Sequence, residues 1–399
     1  MKFLHTADWH IGRTLNGFSL LAEQQFAFAQ ILDLAKEENV DGIIIAGDLY
    51  DRSVPSVEAI AAFDHMVDLM VQQSGLAVYA VTGNHDGAKR LNFGHEFFKE
   101  GNFHLHTTVN HALVPVETKE VQLFLLPFLD PMDIRVYFKQ QGTMADEEIS
   151  QIKTISDGIK LLVEEMKQQF NPKKRQILVT HFAVTKKEGD SLVAQMHSET
   201  TSTIGGLATI TSDIFADFHY VALGHIHTHL ASPMNHMVYS GSPVVFNTKE
   251  ARLGQEKGVY IVEVAQSDVH KKFVPLKVNK ALIALTGTYE RMTDSAFYAP
   301  YQEKNGWFSF HITDYDRLAL SGVNIRGNLE LIYGKDIVEI TIEERMKNGD
   351  LVAGEKTSAM NQLPPETVVA NFYEAVIGDE MTAHQRDITI DIFESIAEE

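Results

Sequence analysis

A chain of 399 residues is too long for one ordinary small domain, so two or three domains are expected. Its 44% hydrophobic and 22% charged residues are those of a water-soluble globular protein, and the absence of cysteine excludes disulfides and thiolate metal sites. A formal charge of −20 argues against a surface that grips a nucleic-acid backbone unaided.

The opening Lys2-Phe3-Leu4-His5 reads as a short buried strand, and His5 and Asp8 interrupt it before a signal-peptide core can form. No apolar run approaches the ~18 residues that span a bilayer, so a cytoplasmic location is expected. Phe28, Ile31, Leu32 and Ala35 recur at helical spacing, with Asn39 as a stop. Gly42-Ile43-Ile44-Ile45 is a second strand. After Pro55-Ser56, the positions Ile60, Phe63, Val67 and Met70 predict an amphipathic helix ending near Gly75. Val78-Tyr79-Ala80-Val81 is a third strand. One long helix is predicted from about Asp146 to Phe170, carrying Ile152, Ile155, Ile159, Leu162, Met166 and Phe170 on one stripe. Strands Gln176-Ile177-Leu178-Val179 and Tyr220-Val221-Ala222-Leu223 follow. Alternation of this kind predicts an α/β layer structure. From Met237 the pattern turns to strand, at 237–239, 258–264 and 272–278. A small α+β unit is expected over about 280–345, with strands at 281–285, 307–312 and 337–342. A polar segment around Gly349 and Gly354 reads as a linker. Leu363-Pro364-Pro365-Glu366 then opens the first of two short amphipathic helices, whose apolar faces must be buried against the parent domain or another chain.

Five polar blocks follow five of the apolar strands: Asp8-Trp9-His10, Gly47-Asp48, Gly83-Asn84-His85-Asp86, Thr180-His181 and Gly224-His225-Ile226-His227. In an open α/β sheet, residues just past the carboxyl ends of strands line the ligand crevice, so blocks scattered over the chain can converge. Their side chains are enough oxygen and nitrogen ligands for two divalent cations. Two metals about 3.5 to 4 Å apart hydrolyse phosphoesters by making hydroxide available and neutralising the phosphoryl oxygens. Asp48 is the expected bridge, since a carboxylate offers two oxygens and Gly47 lets the turn approach closely. Asp8 and His10 can meet one ion, and Asn84 and His181 the other. His225 and His227, two apart, can each reach a different one. His85 is left to orient the phosphate or protonate the leaving oxygen. Asp86 either holds the His85 ring or caps the helix that follows. With 18 histidines present, a lone one such as His65, His95 or His311 carries little weight, and His229 is read as a non-ligand.

The ordered set resembles the calcineurin-like metallophosphoesterases. Further blocks bring the resemblance to the SbcD branch of the meiotic-recombination nuclease family. They are Phe3-Leu4-His5-Thr6-Ala7-Asp8-Trp9-His10-Ile11-Gly12, Ala46-Gly47-Asp48-Leu49-Tyr50-Asp51, Leu126-Pro127-Phe128-Leu129-Asp130-Pro131 and Tyr239-Ser240-Gly241-Ser242-Pro243. The resemblance implies an α/β fold: a two-sheet αββα sandwich over 1–278, a small α+β capping domain over 279–346, a linker at 347–362, and C-terminal helices over 363–399 that dock to the partner ATPase SbcC. It implies one manganese ion held by Asp8, His10, Asp48 and His227, another held by Asp48, Asn84, His181 and His225, and His85 as the catalytic histidine. Some relatives have His where Asp51 stands here, so Asp51 is expected either to orient a metal ligand or to cap a turn. The implied activity is manganese-dependent DNA cleavage by a dimeric nuclease subunit, 3′ to 5′ on duplex ends and endonucleolytic on single strands and hairpins. ATPase partner and dimerisation would supply the DNA contacts that an acidic chain lacks. A phosphatase or phosphodiesterase for small phosphoesters is the competing expectation.

Overall fold

The computed structural model describes residues 1–187, 209–265, 268–315, 320, 322–344 and a few positions between 369 and 390. The expected linker 347–362 and nearly all of the expected C-terminal helices lie outside the described residues. The chain divides into two compact units. Residues 1–286, 292–311 and 325–341 form the first, and 287–291, 312–324 and 342–399 the second.

Two sheets make the centre of the first unit. One has six strands in the order Val269–Pro275, Gly258–Val264, Lys2–Thr6, Gly42–Ala46, Ala77–Val81, Phe103–His106; its last four run parallel. The other has five, Met237–Tyr239, Tyr220–Leu223, Arg175–Thr180, Val121–Leu126 and Val116–Glu117, of which the first four are parallel. Alternate residues of each strand enter different cores. Phe3, Ile44, Tyr79 and Val81 meet Leu123, Leu125, Ile177, Val179 and Ala222 between the sheets. Leu4, Ile43, Ile45 and Val78 instead pack on Phe28, Ile31, Phe63 and Met66 from helices Leu21–Glu37 and Val57–Asp68. Phe124, Leu126, Leu178 and Leu223 pack on Ile159, Leu162 and Met166 of helix Ile155–Lys167. This is the expected helix–sheet–sheet–helix sandwich, and burial on both faces is why the strands read as unbroken apolar runs.

The long helix expected over Asp146 to Phe170 is two helices, Asp146–Ser150 and Ile155–Lys167. Thr154 starts the second with a reciprocal cap: its hydroxyl accepts from Asp157 N at 3.1 Å while the Asp157 carboxylate accepts from Thr154 N at 2.8 Å. The apolar stripe continues through the break because Ile152 is buried in the same core. The strand expected at 272–278 is Val269–Pro275. A three-stranded sheet, Ala281–Thr288, Gly306–Tyr315 and Ile337–Glu344, accompanies helix Ile325–Tyr333. Trp307 and Val338 cluster with Leu15, Leu20 and Phe246 in the first unit. In the second unit, residues 369–370, 373, 384–386 and 388–390 are helical. Among the described residues no helix is long and apolar enough to cross a membrane.

Candidate metal centre

All five polar blocks come to one place. In two of them an apolar residue sits between two polar ones and fixes their direction. Trp9 is buried against Phe28 and Phe63, with ring centroids 5.8 and 6.3 Å away, so Asp8 and His10 turn from the helical core. Ile226 is buried in the core of the second sheet and does the same for His225 and His227. The backbone bends sharply to achieve this. Asp8, His10, Asp48 and His225 have φ of 53°, 45°, 50° and 89°, a region that costs non-glycine residues energy and collects at functional sites. Gln24 supports the first loop, donating from Nε2 to Trp9 O at 3.0 Å and His10 O at 2.6 Å and accepting from Gly12 N at 3.1 Å. Three glycines of these blocks are required by space, and a Cβ at Gly47, whose φ is 89°, would strike the His181 ring. A Cβ at Gly83 would strike the Asp48 carboxylate, and one at Gly224 would strike the Ala46 carbonyl and the His181 ring.

Asp48 lies at the middle. Its Oδ2 is 3.4 Å from His10 Nε2 and 3.2 Å from His181 Nε2, while its Oδ1 accepts from His85 N at 2.9 Å. On one side, His10 Nε2 stands 3.2 Å from His227 Nε2, and Asp8, His10 and His227 form a cluster of ligand atoms. On the other, Asn84 Oδ1 is 3.1 Å from His181 Nε2 and 3.0 Å from His225 Nδ1. Asp8 Oδ1 accepts from His225 N at 2.8 Å. Asp8, His10, Asp48, Asn84, His181, His225 and His227 are thus brought together around Asp48, with Asp8 grouped both with His10 and His227 and with Asp48 and His181.

A divalent pair fits these residues. Asp8 Oδ2 is buried without a hydrogen-bond partner, and imidazole nitrogens face one another and the Asp48 carboxylate at 3.2 to 3.4 Å. Nitrogen and oxygen donors without sulfur suit manganese-like or magnesium-like ions. The electrostatics agree. Burial pushes His181 down, but the Asp48 carboxylate outweighs it and holds the imidazole up at about 9, so a proton takes the place of positive charge there. Burial also pushes Asp48 up, yet His181 and His10 together bring it well below the ordinary carboxylate range. His225 is driven down to about 3 by burial and then by His181.

His85 stands beside this centre, its ring 4.7 Å from that of His10 and edge-on. Its Nδ1 lies 2.9 Å from the Asp51 carbonyl, to which it donates, so Nε2 is left to exchange protons. Neither role expected of Asp86 holds. Its carboxylate accepts from Leu49 N at 3.0 Å, Tyr50 N at 2.9 Å and Gly83 N at 2.9 Å, clamping the Asp48 loop to the Asn84 loop. The following helix has Gly87 at its cap with no side-chain bond. Asp51 accepts from Arg13 Nη1 at 2.9 Å and lies 3.7 Å from His10 Nδ1. His229 stacks on Phe273 at 4.0 Å, away from the ligands.

The support of His227 has no counterpart among the sequence expectations. Its Nδ1 donates to Glu250 Oε1 at 3.0 Å, and Glu250 Oε2 pairs with Lys257 Nζ at 2.8 Å, all three being buried. Lys257 also donates to His227 O at 2.8 Å and to Ser242 Oγ at 2.9 Å. Asn247 accepts from Glu250 N at 2.9 Å, so in the sequence Asn247 and Glu250 carry only a helix-start signal.

A candidate metal-dependent phosphoester site between two sheets is the class that this geometry defines. The profile of the calcineurin-like phosphoesterases matches residues 1–229, and the chain belongs to that family. Its length is matched by proteins named as the SbcD component of the nuclease SbcCD. That of Staphylococcus saprophyticus subsp. saprophyticus is 28% identical over 405 aligned positions, covering 100% of this chain and 99% of that protein. That of Staphylococcus epidermidis is 28% identical over 388 positions, covering 97% and 96%. The crystal structure of TT1561 of Thermus thermophilus aligns with 68% of this chain and 98% of its own at 10% identity and a TM-score of 0.38.

Proposed function

We propose that this chain is a manganese-dependent DNA nuclease of the SbcD type, working with an SbcC ATPase in repair, recombination and replication in the cytoplasm, at the nucleoid. The observation that carries the reading is the set of ligand side chains gathered around Asp48, with His85 held beside them by the Asp51 carbonyl. Asp8, His10, Asp48 and His227 would hold one ion, and Asp48, Asn84, His181 and His225 the other. When bound, the ions supply positive charge to the phosphoryl oxygens and a hydroxide nucleophile near neutral pH. As the new P–O bond forms and the old one breaks, the leaving oxygen needs a proton. His85, protonated at Nε2 while Nδ1 stays on the Asp51 carbonyl, gives it that proton and is left neutral. Asp86 keeps His85 and Asp48 in register by tying their loops together.

The DNA-specific part of the proposal rests on end-to-end similarity to the two staphylococcal SbcD proteins. It includes 3′ to 5′ exonuclease action on duplex ends, endonuclease action on single strands and hairpins, and the division into residues 1–278, 279–346, 347–362 and 363–399. The last segment would dock to SbcC. A dimer is supported by a set of exposed apolar side chains: Phe93 is 85% exposed, Phe97 80% and Val57 77%, with Ile60 one turn on from Val57 in the Val57–Asp68 helix. The test is a manganese-dependent assay on single-stranded, duplex and hairpin DNA, with and without SbcC and ATP. Cleavage of single strands by the chain alone and ATP-gated duplex cutting with the partner are expected. Hydrolysis of small phosphoesters without action on any DNA would overturn the substrate assignment.

A further inference from the structure

Four groupings of ligand side chains occur among the described residues. Three involve Asp8, His10, Asp48, Asp51, His85, His181 or His227; the fourth, His95, Glu96 and His111, is separate from them. His95 and Glu96 open the helix His95–Glu100, and His111 lies in the helical turn Val109–Ala112. One donor atom from each lies within 4.8 Å of the others. A third imidazole is close: the His106 ring, at the end of strand Phe103–His106, is 5.8 Å from that of His95 and 5.7 Å from that of His111.

The nitrogens here are short of partners. His95 Nδ1 donates to the Leu105 carbonyl at 3.0 Å, which leaves its Nε2 with a lone pair. His106 is only 6% exposed, and its Nδ1 is buried without a hydrogen-bond partner, as is His111 Nδ1. An imidazole nitrogen in that state has lost its water and gained nothing in exchange. The His95 and His111 rings stack at 3.8 Å with 10° between their planes. Burial first, and then the neighbouring imidazoles, hold His106 down at about 3 and lower His111, so both are in the neutral form that binds metal.

We propose that His95, Glu96 and His111, with the His106 imidazole beside them, form a second metal site that takes a single divalent transition ion. Imidazole-rich ligation favours zinc, nickel or cobalt over the oxygen-seeking magnesium or calcium. Tetrahedral zinc places two nitrogen donors about 3.3 Å apart, so the half-exposed His111 ring must turn out of its stack to close the site. The Glu96 side chain is 78% exposed, with Oε1 4.0 Å from His95 Nε2. The ion would join the His95–Glu100 helix to the Val109–Ala112 turn, two segments that follow the His85 loop, without touching the reacting atoms.

The experiment uses the full chain, stripped with a chelator and reloaded with Zn2+, with bound zinc counted by native mass spectrometry and elemental analysis. The wild type is expected to hold one zinc more than His111→Ala, while both cut DNA equally with Mn2+. Glu96→Gln, on an exposed side chain, should weaken the same ion by at least the roughly tenfold that loss of a supporting group costs. Co2+ added at this site should give a visible absorption band that either variant removes. Equal zinc content and equal cobalt spectra in wild type and both variants would overturn the proposal. If His111→Ala does not fold, Glu96→Gln alone decides. Because the readout is a difference of one ion, it stands whether or not the Asp48 centre turns out to be a nuclease.

Discussion

Replacing Glu250 should separate the two metal positions. Its carboxylate accepts from His227 Nδ1 at 3.0 Å and from Asn247 Nδ2 at 2.9 Å, and pairs with Lys257 at 2.8 Å. Burial pushes this carboxyl up, but Lys257 and His227 outweigh burial and keep it well below the ordinary range, hence ionised at any pH where the protein works. Glu250→Ala leaves the Lys257 ammonium buried with only a carbonyl and a hydroxyl, and breaking such a buried pair costs about 3 to 5 kcal/mol of stability. Glu250→Gln combined with Lys257→Met removes both charges and should recover much of that loss. It should not recover the metal. Losing the carboxylate that orients a ligand imidazole lowers affinity by about 10- to 100-fold, and His227 belongs to only one of the two ligand groups. Calorimetric titration with Mn2+ should therefore show one site weakened in the double variant and the other unchanged. Equal weakening of both sites, or of neither, would refute the assignment of His227 to a single ion.

Metal binding should release protons. His181 is held at about 9 by Asp48, so below that pH an ion entering the centre must displace its proton. Apparent affinity should rise about tenfold per pH unit between 7 and 9, and calorimetry in buffers of different ionisation heat should show about one proton released per chain. Acid should destabilise the fold through His5, buried 2.9 Å from the Tyr220 hydroxyl and pushed by burial down to about 3. Its folded pKa lies below the unfolded value, so as pH falls through 6.5 only the unfolded chain gains the proton. His5 alone should contribute about 1.4 kcal/mol per unit of the stability lost toward pH 3, read by urea unfolding, and His5→Asn should lessen the slope by that amount. Phe97→Asp should shift a dimer toward monomer in sedimentation without changing the metal content.

The convergence of the five polar blocks was legible because it depends on strands buried on both faces. Such strands leave uninterrupted apolar runs such as Gly42-Ile43-Ile44-Ile45, and the polar residues just after them have only one place to go. Trp9 and Ile226 did the rest, since an apolar residue between two ligands commits both to one side. Less was legible where partners set the structure. The Val269–Pro275 strand takes its position from pairing, Val264 with Val269 and Gly258 with Pro275, which no local pattern states. The stripe from Ile152 to Met166 hid a break, because a capped turn keeps its apolar residues in the same core. Asp86 bonds to backbone amides 36 and 37 residues earlier, and Glu250 reaches His227 across 23 residues; neither leaves a spacing to read.

The central claim is that the seven ligands bind metal while His85 performs proton transfer beside them. His85→Ala tests it most directly, with Mn2+ stoichiometry and DNA cleavage measured on the same preparation. Two ions bound with cleavage reduced by about 10²- to 10⁴-fold is the expected result. Full cleavage in this variant would remove His85 from the mechanism, and loss of an ion along with activity would make it a ligand instead.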